Sequence, residues 1–159
     1  MTEQTPPPPR AVRLDGEQIT PPMKGVKQMS NKLHPIKFKD SDHRHRFGEL
    51  YDLYNAEADP YRTALAYLIA LTDTTYKHRK ELYDETDESI KPDAVNAAWQ
   101  TGTSRRVTLL AFNLFTSGTA FCDDEKLYQL AADNIFACEL APYFCEVMLL
   151  RYPDYFTEE

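Results

Sequence analysis

Glycine is scarce in this sequence, 5 residues in 159, and neither GxGxxG nor GxxxxGK[ST] occurs. A backbone that wraps a nucleotide phosphate depends on such glycines, so no nucleotide cofactor motif is present. Long apolar runs are missing too: none reaches the about 18 residues that a membrane span requires. The opening decapeptide, MTEQTPPPPR, has no apolar stretch of the kind a secretory signal carries. The three cysteines, Cys122, Cys138 and Cys145, lack CxxC spacing, and HExxH is absent, so no metal site is expected. GxSxG and the kinase motif set are likewise missing. Positive charge falls short: 18 Lys+Arg face 25 Asp+Glu, for a net −7 and a pI near 5.1. A general nucleic-acid binder needs a basic face, so no direct nucleic-acid partner is expected. These absences point to a cytoplasmic protein without cofactor, metal or membrane anchor, and they make an enzyme the less favoured reading.

What is present is unevenly distributed. Residues 1–40 hold 7 Lys+Arg against 4 Asp+Glu, a net +3, while residues 41–159 hold 11 against 21, a net −10. Six of the 11 prolines precede residue 23. Proline fixes φ and lacks the N–H that helices and sheets use, so residues 1–35 read as a disordered, partly polyproline-II leader. Residues 36–159 read as one domain. Hydrophobic residues make up 42% of the chain and aromatics 12%, enough to fill a core.

The body has helical periodicity. Asp40 or Ser41 can cap a helix whose stripe is Phe47, Leu50, Tyr51 and Tyr54. Asp59 before Pro60 is an N-cap with proline at the first helical position, followed by Ala64, Leu65, Leu68 and Leu71. Thr72 or Asp73 starts a third helix with Tyr76, Leu82 and Tyr83 as anchors. The acidic run Asp84–Glu88 reads as a solvated linker. Pro92 opens a short helix that Gly102 terminates, and Thr103 or Ser104 caps the next, to about Ser117. Val107, Leu110, Ala111, Leu114 and Phe115 on that helix are the expected centre of the core. A last helix carries Phe144, Cys145, Met148 and Leu149 and stops at Pro153. Strand signals are limited to Ile36–Lys39, a candidate edge strand. The expected fold class is all-α: a compact bundle of about five to seven short helices.

Two basic clusters are candidate sites for a small anion. The first is His43, Arg44, His45 and Arg46. Positions two apart on a helix point about 200° away from each other, so the two histidines cannot share a metal. The plain reading is a solvated basic face. The second cluster is Ser104, Arg105 and Arg106 after Thr101-Gly102, with Trp99 nearby. Helix N-terminal N–H groups attract anions, and arginine adds a fork of donors. The plain reading is a capped helix whose arginines pair with neighbouring acids. The cysteines read as reduced structural thiols; on one continuous helix Cys138 and Cys145 lie about 10 Å apart, too far for a disulfide.

Ala98-Trp99-Gln100-Thr101, with Arg106 and Leu110–Leu114, and Cys138–Phe144, with Leu150–Pro153, resemble a family of small proteins of unknown function from gut-type Firmicutes. Those proteins are often carried on conjugative elements and prophages. The resemblance spans residues 40–156 and implies no catalytic set. The leading expectation is a non-enzymatic accessory protein that contacts a protein partner, with Tyr143, Tyr152, Tyr155 and Phe156 as surface candidates. The alternatives are an anion-binding protein or enzyme near Trp99, Arg105 and Arg106, and an acidic inhibitor of a host defence system.

Overall fold

The structure is a computed structural model that describes residues 35–156. The leader expected over residues 1–35 lies outside the described residues except for Pro35. Helix α1, Ser41–Leu53, begins where the Asp40 carboxylate accepts the His43 N–H at 2.8 Å. Helix α2, Pro60–Leu71, begins where Asp59 accepts from the N–H groups of Tyr61 and Arg62, at 3.0 and 3.1 Å. Every residue of α2 from Thr63 to Leu71 is buried. A helix that is apolar on all sides belongs inside, and α1 and the two later helices Gly102–Thr116 and Ala141–Arg151 pack around it.

Two short helices follow, α3 at Asp73–Lys77 and α4 at Arg79–Leu82. The single helix expected here is broken at His78. Tyr83 then turns into an extended conformation and inserts its ring between Tyr54 and Phe115. It opens a small antiparallel ribbon, β1 Tyr83–Asp84 with β2 Ser89–Ile90, pairing Tyr83 with Ile90 and Asp84 with Ser89. The acidic run is the turn of that ribbon. Asp84 accepts from the N–H groups of Thr86 and Asp87, and Glu88 pairs with Arg62 at 2.7 Å. A 3-10 turn at Pro92–Asn96 leads to α5, Gly102–Thr116. A 3-10 segment at Asp124–Leu130, α6 at Ala132–Ile135, α7 at Ala141–Arg151 and a 3-10 turn at Pro153–Tyr155 complete the described chain. The all-α class holds.

The core is centred on α2 rather than on α5. Beyond Arg62, α2 carries no charged residue, whereas Arg105, Arg106 and Asn113 keep one side of α5 at the surface. Ile36–Lys39 forms no strand. Its backbone groups are met by side chains instead, which satisfies them as a ladder would. The Lys37 N–H donates to Glu146 Oε1 at 3.0 Å, the Tyr67 hydroxyl donates to the Lys37 carbonyl at 2.6 Å, and the Lys39 N–H donates to His43 Nδ1 at 3.1 Å. Cys138 precedes α7 and Cys145 lies on it, so they share no helix; all three cysteines are free.

Candidate functional site

The first basic cluster is split by the helical turn. His43 is fully buried, its ring against Tyr67 at 4.5 Å and Phe38 at 5.2 Å. Nδ1 accepts from the Lys39 N–H, so Nε2 carries the proton and donates to the Tyr67 carbonyl at 3.0 Å. A second proton on Nδ1 would set donor against donor. Burial, above all, pushes the imidazole down to about 4, which keeps it neutral. His43 is thus a core residue, contrary to the solvated face expected. Arg46 donates to the Asp42 carbonyl, approaches Asp73 at 3.8 Å and covers the Tyr76 ring. Arg44 and His45 are exposed. The four residues form no common site.

The second cluster is also redistributed. The cap of α5 is Thr101, and Gly102 is its first residue, not the terminator of the preceding helix. Thr101 Oγ1 accepts the Ser104 N–H at 3.0 Å while Ser104 Oγ accepts the Thr101 N–H at 2.8 Å, a reciprocal box. Ser104 Oγ donates to Gln100 Oε1 at 2.6 Å, and the Gln100 amide donates to the Ala94 carbonyl and to Thr108 Oγ1. Ser104 is buried within this knot, its hydroxyl engaged by Thr101 and Gln100.

Trp99 points elsewhere. Its ring stacks on His78 at 4.1 Å with planes 2° apart, and Nε1 donates to Glu81 Oε2 at 2.7 Å. The other Glu81 oxygen meets His78 Nδ1 at 2.8 Å. The bonds from His78 and then Trp99 hold the Glu81 carboxyl below its usual range. This triangle ties the loop before α5 to α4. The i, i+3 spacing of His78 and Glu81 was visible in the sequence, but not the arrival of a residue 18 positions on.

Arg105 and Arg106 do come together. They line an open pocket of about 210 Å³ with Gly102, Leu109, Tyr128, Gln129 and Asn134. Arg105 Nε donates to the Val95 carbonyl at 3.1 Å and Arg106 Nε to the Asn134 carbonyl at 2.9 Å. The expected pairing with neighbouring acids does not occur: among the described residues no carboxylate lies within ion-pair distance of either.

At the far end of α7 lies a surface of rings. Arg151 is buried, donating from Nε to the Leu114 carbonyl at 2.9 Å and from Nη2 to Ser117 Oγ at 3.0 Å. Its guanidinium lies 3.5 Å from the centre of the Tyr61 ring and 4.5 Å from that of Tyr152. Tyr152 contacts Tyr155 edge-on at 6.3 Å. Tyr61 is 43% exposed, Tyr155 83% and Phe156 46%. The Ser117 hydroxyl and the Arg151 cation beside Tyr61 hold its phenol below the usual range. Tyr143, expected with this group, belongs to the clamp on residues 36–39. It is half-buried, edge-on to His43 and beneath Lys37 Nζ at 5.7 Å.

Residues 33–159 match a family described as Family of unknown function (DUF6075). The chain belongs to that family. No curated protein and no solved structure matches it. In this DUF6075 member the matched segment holds the clamp, the arginine pocket and the ring surface, and the run Pro6–Pro9 falls outside it. Among the described residues no three His, Cys, Asp or Glu side chains form a metal ligand group, and no helix is long and apolar enough to cross a membrane.

Proposed function

We propose that this DUF6075 protein is a non-enzymatic interaction protein. It works as a cytoplasmic accessory factor of a bacterial mobile element and contacts a protein partner through the ring surface at the end of α7. The observation that carries the reading is the continuous array Tyr61, Arg151, Tyr152 and Tyr155, with Tyr155 83% exposed. Tyrosine and arginine are the residues that dominate contact energy. A ring brings large area with little rotamer entropy, and its hydroxyl pairs at the rim. Arg151 anchors the array, because Nε and Nη2 are held by Leu114 and Ser117 while the guanidinium lies over two rings. The Trp99 triangle and the Ser104 knot, by contrast, have their polar atoms engaged within the chain.

The test is a capture experiment from the host, run in parallel with the wild-type chain and a Tyr61→Ala/Tyr155→Ala variant and read by mass spectrometry at two salt concentrations. The expected result is a protein retained by the wild type at both salt levels and lost with the variant. Equal recovery of every protein by both baits sinks the ring surface as the contact. Loss with salt alone transfers the contact to the acidic body.

A further inference from the structure

The ring surface leaves the arginine pocket unexplained. Its lining contains two cations and no acid: Gly102, Arg105, Arg106, Leu109, Tyr128, Gln129 and Asn134. A backbone carbonyl accepts one hydrogen bond from each guanidinium but contributes no net negative charge. Those two bonds instead hold each fork in place, Arg105 on Val95 and Arg106 on Asn134. The first turn of α5 carries no acidic residue, and Arg106 Nη1 lies 3.9 Å from the point a Cβ on Gly102 would occupy. Arg106 is therefore folded back over the positive end of its own helix. Two cations and a helix N-terminus repel one another. This happens in a chain where acids outnumber bases 25 to 18, so carboxylates were available to neutralise the site.

We infer that this pocket binds the phosphate group of a small phosphomonoester. Two preorganised guanidinium forks meeting a tetrahedral dianion make several charge-assisted bonds at once, which a single planar carboxylate does not match. A volume of about 210 Å³ holds the phosphoryl group and a few further atoms, not a whole nucleotide. The rest of the ligand lies outside, across Tyr128. That ring is 68% exposed at the pocket edge and offers a face to a flat organic group. Bound phosphate would also relieve the repulsion between Arg106 and the helix end, so occupancy stabilises the fold.

The probes are inorganic phosphate, phenyl phosphate and benzoate, titrated into the full chain and followed by amide chemical shifts and by melting temperature. Saturable shifts at Gly102, Thr103, Arg105 and Arg106 are expected with both phosphates, stronger with phenyl phosphate, and a rise in melting temperature should accompany them. Benzoate should bind weakly or not at all. Two variants separate the site from the fold. Arg105→Gln/Arg106→Gln should weaken phenyl phosphate by about tenfold or more. Gly102→Asp places a carboxylate where the structure has room and where a helix favours one. It should raise the melting temperature while abolishing phosphate binding. Undiminished binding in a folded Gly102→Asp chain overturns the proposal, as does the absence of saturable shifts with either phosphate in the wild type. Equal binding of benzoate overturns the assignment to phosphate.

Discussion

His43 shows how one residue's surroundings fix its chemistry. Its neutral form is the one that matches the Lys39 donor and the Tyr67 acceptor. Because its pKa falls from 6.5 unfolded to about 4 folded, the unfolded chain binds more protons between those values. Stability is therefore fully present above pH 6.5 and declines as the pH drops toward 4, by roughly 3 kcal/mol from this group. Denaturant titrations at pH 7 and pH 4.5 should show this loss for the wild type, and a clearly smaller one for His43→Gln. Two buried tyrosines give a second test at the same scale. Among the described residues the buried Tyr54 hydroxyl has no hydrogen-bond partner, whereas the Tyr67 hydroxyl donates to the Lys37 carbonyl at 2.6 Å. Leaving a buried polar atom unpaired is costly, and removing it relieves that cost. Tyr54→Phe should raise stability by about 1 kcal/mol, and Tyr67→Phe should lower it by a similar amount, both measured in urea. In the sequence these two tyrosines look alike, since each sits on an apolar helical stripe. The difference lies in contacts up to 30 residues distant, which no local pattern records.

At the scale of the element, the helix starts at Asp40 and at Asp59-Pro60 were readable, because a cap and a first-turn proline act within three or four residues. The cap of α5, Thr101, lies two residues before Thr103 and three before Ser104, the caps expected from the sequence. Thr101, Thr103 and Ser104 are all competent caps by type. The choice is made by Gln100, whose side chain donates to Ala94 and Thr108 and accepts from Ser104, holding the chain so that Thr101 faces the first turn. Thr101→Ala removes the box and should cost about 1 kcal/mol, while Thr103→Ala should change stability by less than about 0.5 kcal/mol. Thermal unfolding of both single variants checks the assignment. The ribbon Tyr83–Ile90 was not readable for a different reason. Each strand is two residues long, and no alternation is visible over so short a span. Tyr83 is extended because its ring fits between Tyr54 and Phe115, a tertiary contact overriding the helical pattern before it.

For the whole molecule, periodicity was enough to give an all-α class but not the order of layers. Both α2 and α5 have apolar stripes, and the absence of charge after Arg62 is what places α2 at the centre. The candidate surfaces depended still more on tertiary structure. Trp99, Ser104 and His43 were grouped with the arginines by type and proximity along the chain. Folding sends each to a separate hydrogen-bonded cluster and leaves Arg105 and Arg106 together. The ring surface joins Tyr61 from the start of α2 to Tyr152 and Tyr155 from the end of the described chain, through an arginine that is itself buried. Tyr152, Tyr155 and Phe156 were legible as candidates; Tyr61 and the arginine that organises them were not. The most direct measurement is the affinity of the purified captured partner for the wild type and for Tyr61→Ala/Tyr155→Ala, by calorimetric titration, with both melting temperatures recorded. Truncating a central ring of an interface costs about 2 kcal/mol or more, and the costs of neighbouring rings do not add, so about 2 kcal/mol is the floor for the pair. The expected result is a weakening of at least about thirtyfold with the melting temperature retained. An unchanged affinity in a folded variant contradicts an interaction function carried by this surface.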